Sequence, residues 1–472
     1  MTELLSSARD VDTSGVPYAI TNRRLIPAQR YYDRDFFELE KRKLWPHVWQ
    51  NACRLEEIPN VGDYVEYWVA DQSVIVVRTS ATEIKAYQNA CRHRATQLAV
   101  GCGTFRGGQI VCPFHGWRWN LDGTSSFVYG RDSFPPECVT DADLHLVECQ
   151  VGTWANCVFI NMDPDAPPLQ QELAPIPSLL DPLNVGLMRV YWWKAVKLKA
   201  NWKLAMEAFM EGFHVPQTHP QLAFGSEAGF VADEHSNDGI CYFSHQNGNA
   251  HFQASVPTDD AGGDGKVDEP PVFMADAAAT MSERQIAELT VEANRLLYEG
   301  LDAMVLAKDM HVLNGLRNTD YEPGQFATLM TEALYEWNRG AGVPFPDPDP
   351  VALARWGGVF YIFPNFFILP DFGNALMYRF RPDSDDPESC YFELWSNTLY
   401  PEGQEPGKPT FGGVHPKDDA TEWPLIPRQD FSNIERQQRG LHTQGMHGMR
   451  TSEQFEDAIP NMHAHLDTYL AR

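Results

Sequence analysis

The chain has no run of eighteen or more apolar residues in its 472, so no membrane span is expected. Its opening, Met-Thr-Glu-Leu-Leu-Ser-Ser-Ala-Arg-Asp, lacks a basic stretch followed by an apolar core. No secretion signal is therefore expected, and a cytoplasmic location is. Positive charge is scarce: 37 Lys and Arg stand against 64 Asp and Glu, for a net charge of −27. A polyanionic surface argues against nucleic acid and anionic membranes as partners. The nine cysteines make no disulfide framework. Cys53, Cys102, Cys138, Cys149, Cys157, Cys241 and Cys390 are scattered and read as reduced thiols. The length leaves room for two domains and a large core.

The remaining cysteines do carry a pattern. Cys91 and His93 form a Cys-x-His pair, and after eighteen intervening residues Cys112 and His115 form a Cys-x-x-His pair. Two thiolates and two imidazoles in mixed pairs are the ligand set of a Rieske 2Fe–2S centre, where His replaces Cys on one iron. Each pair fits one tight loop. Pro113 and Gly116 turn the second loop, and Gly101, Gly103, Gly107 and Gly108 punctuate the hairpin between them. Tetrahedral zinc also accepts two Cys and two His. A zinc finger, however, keeps its cysteines together amid helical signals. Here the pairs are mixed and the flanks are strand-like, as in Tyr64–Val69 and Gln109–Val111.

A second constellation lies in Asn201-Trp-Lys-Leu-Ala-Met-Glu-Ala-Phe-Met-Glu-Gly-Phe-His-Val-Pro-Gln-Thr-His-Pro. No helix breaker occurs from 201 to 211, so the segment predicts a helix running to His214. Glu207, Glu211 and His214 then share one face. Pro216 is expected to end that helix, and the loop after it to bring His219 beside His214. Two histidines and one carboxylate make the facial triad of non-haem Fe(II) oxygenases. Glu211 is the nearest carboxylate, only three residues before His214.

Residues 91–123, Cys-Arg-His-Arg … Cys-Pro-Phe-His-Gly-Trp-Arg-Trp-Asn-Leu-Asp-Gly, resemble the cluster loops of Rieske non-haem iron oxygenases, catalytic (alpha) subunits of the aromatic-ring-hydroxylating type. The resemblance runs over about residues 40–225 and 355–445. Thr96 and Phe114 stand where respiratory Rieske proteins place a bridging disulfide, and Ala95 stands where relatives commonly have Gly. The resemblance implies Cys91, His93, Cys112 and His115 on a 2Fe–2S cluster. It implies His214, His219 and Asp430 on a mononuclear Fe(II), with Asp430 supplied by a late helix near 428–446 and Glu435 as the alternative carboxylate. Glu211 would then link His214 to His115 of a neighbouring chain, with Glu207 in support. Ala208 falls where many relatives carry Asn.

The fold implied is α+β: an all-β Rieske domain followed by a catalytic domain with an antiparallel sheet flanked by helices, of helix-grip type. The expected units are an arm at 1–44 packed on the catalytic domain, a Rieske domain at 45–165, and a catalytic domain at 166–472. A helix is expected at Asp33–Leu44, and a proline-rich linker at 164–182. Strands are expected at Met188–Leu198, Gly357–Leu369, Ala375–Phe380 and Cys390–Thr398, and a long helix near 281–317. Between His219 and Asp430 lie 210 residues, with an acidic Gly-rich patch at Asp259–Gly265. This excursion reads as a solvated surface element, or as part lid and part subunit contact.

Phe209, Met210, Phe213, Asn365 and Phe367 are candidate pocket residues, with Phe360 and Phe366 beside them, although aromatic residues at such spacing also build plain core. An apolar pocket would take an aromatic, alicyclic or steroid-like substrate, and no Lys or Arg cluster near the motifs announces a carboxylate. The expected activity is O2-dependent hydroxylation with electrons from NAD(P)H through a reductase, with or without a ferredoxin. The alternatives are O- or N-demethylation, and electron transfer without catalytic iron. A homotrimer or an α3β3 assembly is expected from the family.

Overall fold

Successive side chains of a strand point to opposite faces. Along Phe366–Asp371 and Asn374–Pro382 this sends Phe367, Leu376, Tyr378 and Phe380 into one core and Phe366, Ile368, Ala375 and Met377 into another. Both sets are buried, so the sheet carrying them is covered on both sides. The computed structural model describes residues 11–212, 214–219, 222, 226–232, 241–249, 282–317, 319–346, 358–453 and 455–472.

That sheet has eight strands in the order Ser226–Ala232, Cys241–Asn249, Val359–Ile362, Phe366–Asp371, Asn374–Pro382, Cys390–Thr398, Arg189–Leu198 and Val414–His415. All pairings are antiparallel except the last. One face is covered by the helices Trp202–Glu207, Leu425–Leu441 and Ala458–Leu470, through Trp202, Met206, Phe431, Ile434 and Leu466. The other face meets Trp49 and Phe159, together with Leu169, Leu173, Ile176 and Leu180 of the proline-rich segment. That segment is an ordered, packed connection with short helices at Leu169–Leu173 and Ile176–Leu180.

The N-terminal β-domain is a seven-stranded antiparallel sheet, Gln50–Arg54, Cys157–Asn161, Glu148–Trp154, Ile84–Gln88, Gln72–Arg78, Asp63–Val69 and Cys102–Thr104. A three-stranded sheet, Gln109–Val111, Arg118–Asn120 and Ser125–Phe127, stands beside it. Buried arginines join the two domains. Arg379 donates to the carbonyls of Asn51 and Ala52 (both 2.8 Å), and Arg381 to that of Trp68 (2.8 Å). Glu393 neutralises both guanidiniums from the neighbouring strand, which is what makes their burial tolerable.

The expected helix near residue 33 is Arg34–Lys43, capped by the Asp33 carboxylate on the Phe36 N–H (2.9 Å). The arm before it pairs Leu25–Pro27 with Gly448–Arg450, and Arg30 bonds Asp467 of the C-terminal helix (2.7 Å).

Two expected elements are split. The strand expected at 357–369 is two strands joined by a turn at Phe363-Pro364-Asn365, because proline cannot donate to the ladder. The helix expected at 281–317 is Glu283–Leu301 and Ala307–Gly315, separated at Asp302, whose φ is +52°. The late helix begins earlier than expected, at Leu425, since Pro427 is tolerated in a first turn, and it ends at Leu441. Within the excursion, Glu283–Leu301, Ala307–Gly315 and Phe326–Gly340 share their own apolar core, and Gly300 lies against Ile426 of the late helix. The Asp259–Gly265 patch lies outside the described residues. Among the described residues, no helix is long and apolar enough to cross a membrane.

Candidate metal centres

The two cysteine loops are built alike. In the first, the Cys91 N–H donates to the Thr96 carbonyl and the Ala95 N–H to the Cys91 carbonyl (both 2.9 Å). In the second, Cys112 N–H donates to Trp117 (2.8 Å) and Gly116 N–H to Cys112 (3.0 Å). The cysteines are buried, while His93 and His115 are half-exposed at the tip. The histidine Nδ1 atoms meet at 3.2 Å, which leaves each Nε2 on the outer part of its ring. Trp117 stacks on His93 with centroids 4.6 Å apart, and Phe114 lies 3.9 Å from His115. Burial, and the neighbouring Cys112, push the Cys91 thiol up to about 11. A thiolate there therefore calls for a compensating cation.

The second site gathers residues from two distant segments. His214 Nε2 lies 3.6 Å and His219 Nε2 2.9 Å from Asp430 Oδ1. The other nitrogen of each ring is already engaged: His214 Nδ1 with Glu211 Oε1 (2.7 Å) and His219 Nδ1 with Gln429 Oε1 (2.9 Å). Each acceptor fixes a tautomer with the proton on Nδ1 and a free lone pair on Nε2. His214, His219 and Asp430 each offer a ligand atom, all within 4.8 Å of one another. Among the described residues no other group of three or more His, Cys, Asp or Glu is so contracted. The donor set fits a mononuclear iron with open coordination positions. The wider Cys91, His93, Cys112 and His115 set fits ligands divided between two irons better than ligands on one zinc.

The expected helix from 201 to 214 does not run through. It stops at Glu207, a turn follows, and a new helix spans Val215–Thr218. Glu211 explains the break. Its carboxylate accepts from the His214 backbone N–H (2.9 Å) as well as from the ring, giving the chain a local alternative to continuing the helix. Pro216 starts the second helix rather than ending the first, at a position where its missing N–H costs nothing. Burial opposes a charge on His214, but Glu211 and then Asp430 outweigh it and raise its proton affinity.

Glu207 faces elsewhere. Tyr31 donates to its carboxylate (2.9 Å) and so does His463 Nε2 (2.8 Å), while Arg30 Nε donates to His463 Nδ1 (3.0 Å). This buried network ties the arm and the C-terminal helix to the helix before the metal site. Burial holds the Glu207 proton up to about 8. Glu207 and Glu211 nevertheless line one cavity of about 630 Å³, with His214, Met446, Met449 and Glu456. Glu435, the alternative carboxylate, instead accepts from the Lys199 N–H (3.1 Å). The sequence reading missed the roles of Gln429, Tyr31 and His463. Of these, only Gln429, adjacent to Asp430, had a positional signal.

The candidate pocket residues are placed in the core. Phe209 packs on Tyr378 (4.7 Å), Phe392 (5.2 Å) and Phe380 (5.7 Å). Met210, Phe360, Phe366 and Phe367 are buried, and Asn365 donates to the Phe380 carbonyl (2.6 Å). None of them lines the cavity beside His214. Phe213 lies outside the described residues.

Comparison with known proteins agrees with this architecture. A model of the Rieske [2Fe-2S] domain matches residues 48–130. A model of the ring hydroxylating alpha subunit (catalytic domain) matches residues 186–472, and the chain belongs to that family. It is 30% identical over 200 residues to the carnitine monooxygenase oxygenase subunit of Escherichia coli K12, covering 41% of this chain and 52% of that one. To the glycine betaine monooxygenase oxygenase subunit of Pseudomonas aeruginosa UCBPP-PA14 it is 28% identical, covering 42% and 45%. The chain thus spans about half the length of these curated relatives. The quaternary ammonium Rieske monooxygenase CntA in complex with L-carnitine shares the fold, with a TM-score of 0.60 at 17% identity over 96% of this chain and 99% of that one. So does naphthalene 1,2-dioxygenase bound to phenanthrene, at 0.59 and 16% over 95% and 93%.

Proposed function

We propose that this chain is the terminal oxygenase of a Rieske system, drawing electrons from NAD(P)H through a reductase, with or without a ferredoxin. The observation that carries the reading is the convergence of His214 Nε2 and His219 Nε2 on Asp430, with both Nδ1 atoms already bonded. Cys91, His93, Cys112 and His115 would hold the cluster, and His214, His219 and Asp430 the mononuclear iron. Bound there, the cluster supplies single electrons and the iron supplies reductive activation of dioxygen. Glu211 holds the His214 ring. Its second role is to meet His115 of another copy, which calls for a closed ring of chains, three by family analogy.

For the substrate we favour a small methylated ammonium compound over a neutral arene. The names of the relatives, carnitine and glycine betaine monooxygenases, support it. The cavity beside His214 is lined by the carboxylates of Glu207, Glu211, Asp430 and Glu456, which favour a cation there. A net charge of −27 also favours cations in the approach. Hydroxylation at a carbon next to nitrogen, using O2, two electrons and two protons, yields water and a carbinol that releases amine and aldehyde. The second reading is hydroxylation of an apolar ring compound, which the apolar wall of the same cavity, Leu204, Ile434, Met446, Met449 and Ile459, favours.

The test is EPR of the anaerobically reduced protein with and without nitric oxide. A Rieske signal together with a high-spin Fe–NO signal is expected. Asp430→Ala should keep the first and lose the second. A Rieske signal alone in Fe(II)-loaded protein would leave an electron carrier. Oxygen uptake with amine release separates the methylated ammonium reading from the arene reading.

A further inference from the structure

A cleft of about 530 Å³ adjoins the cavity beside His214. It lies between helix Val215–Thr218, the loop at Asp418 and helix Leu425–Leu441. Thr218, Asn433 and Arg436 line both spaces. Asn433 Nδ2 donates to Thr218 Oγ1 (3.1 Å), so these two side chains form the sill between them.

The two spaces differ in charge. Four carboxylates line the metal cavity. The cleft instead carries Arg428 and Arg436, and among the described residues its one carboxylate, Asp418, already faces Lys417 Nζ at 2.7 Å. Arg428, Ser432 and Arg436 are spaced four apart, so they share one face of the helix. Eight residues apart in the chain, the two arginines do not read as a cluster; the helix makes them one. Arg428 is half-buried and Arg436 exposed. Neither forms an ion pair among the described residues: Arg428 Nε donates to the Pro424 carbonyl (3.3 Å) and Arg436 to Asn433 Oδ1 (3.5 Å). In a chain with 64 acidic residues against 37 basic ones, carboxylates are abundant, yet none is supplied to this pair.

We propose that the cleft is the anion subsite of the substrate, where Arg428 and Arg436 bind a carboxylate whose molecule extends over Asn433 and Thr218 into the metal cavity. The inference rests on the methylated-ammonium reading above and narrows it to zwitterions. The ammonium end lies among the acids and the carboxylate end on the arginines. Guanidinium forks match a carboxylate bidentately, which a single point charge does not. Asp430 and Arg436 are six residues apart, about 9 Å along the helix axis. The arginine side chain spans part of that gap, so a short carbon chain between the two charges suffices. Anchoring the far end orients the molecule with its ammonium end toward His214. A methylated amine without a carboxylate lacks this anchor.

The test is anaerobic isothermal calorimetry on the iron-loaded holoenzyme, with glycine betaine, γ-butyrobetaine and the methyl ester of each. The acids should bind roughly tenfold or more tightly than the esters. Arg428→Gln and Arg436→Gln should each shrink that preference and leave ester affinity unchanged, with iron content and Rieske absorbance as in the wild type. Esters that bind as tightly as the acids would overturn the proposal and leave the methylated-ammonium reading standing. Binding of neither would remove that reading, and the proposal with it. A preference that survives in the double variant, or that Arg450→Gln in the metal cavity abolishes instead, would place the anion elsewhere and overturn the proposal. Should an arginine variant not fold, acid against ester in the wild type decides.

Discussion

Ala95 and Gly116 occupy the same place in the two cluster loops. Each lies four residues after its cysteine, donates its N–H to that cysteine's carbonyl, and takes a left-handed backbone, with φ of +60° at Ala95 and +69° at Gly116. Glycine adopts this region freely, whereas a Cβ costs roughly 1–2 kcal/mol there. The first loop therefore holds strain that the second does not.

Replacing Ala95 with Gly should relieve it. We expect Ala95→Gly to stabilise the Rieske domain by about 1 kcal/mol, read by denaturant unfolding followed at the cluster absorbance. An unchanged or lower midpoint would show that the loop already absorbs the strain elsewhere.

Gln429 fixes the His219 tautomer through its 2.9 Å contact with Nδ1. Gln429→Leu removes that acceptor and leaves the ligands in place. Mononuclear iron affinity should fall roughly tenfold to a hundredfold, with the Rieske spectrum unchanged. Iron retained equally through dialysis would show that packing alone orients His219.

Glu207 gives a pH signature. Burial raises its folded value from 4.5 to about 8, against the opposing Tyr31 hydrogen bond and the charges of Lys203 and Arg30, while Glu456 adds to the rise. His463 is kept neutral by burial and by the same cations. The folded state thus binds this proton more tightly than the unfolded chain does. Its contribution to stability is complete below about 4.5 and is lost as pH climbs toward about 8. Relative to Glu207→Gln, the wild type should lose stability across that interval. Parallel profiles would mean that Glu207 is ionised throughout.

Phe367 distinguishes core from pocket. It is fully buried against Tyr361 (5.0 Å) and Phe380 (5.9 Å). Phe367→Ala should cost about 3–5 kcal/mol of stability. A near-normal Tm with a raised KM would instead place it against the substrate.

The motifs were legible because their chemistry is local. Cys91 with His93, and Cys112 with His115, each fit one short loop, so spacing alone announced them. The strands Arg189–Leu198 and Cys390–Thr398 were legible from apolar content over the length of a strand. The helix through His214 was misread because propensity favours it, while the bonds from Glu211 to His214 do not appear in any periodicity.

By itself the sequence determined the two donor sets, the order of the domains and the acidic surface, since each follows from residue identity over a short stretch. Only the tertiary structure decided which carboxylate meets the histidines. Asp430 and Glu435 share one helix, and the packing of that helix on the sheet turns the first toward His214 and His219 and the second toward Lys199. The same holds for Glu207 and Asp371. What each side chain can do depends on the donors and charges brought to it from distant segments, here Tyr31 and His463 for the one and Asp309 for the other. No reading of neighbours along the chain supplies that information.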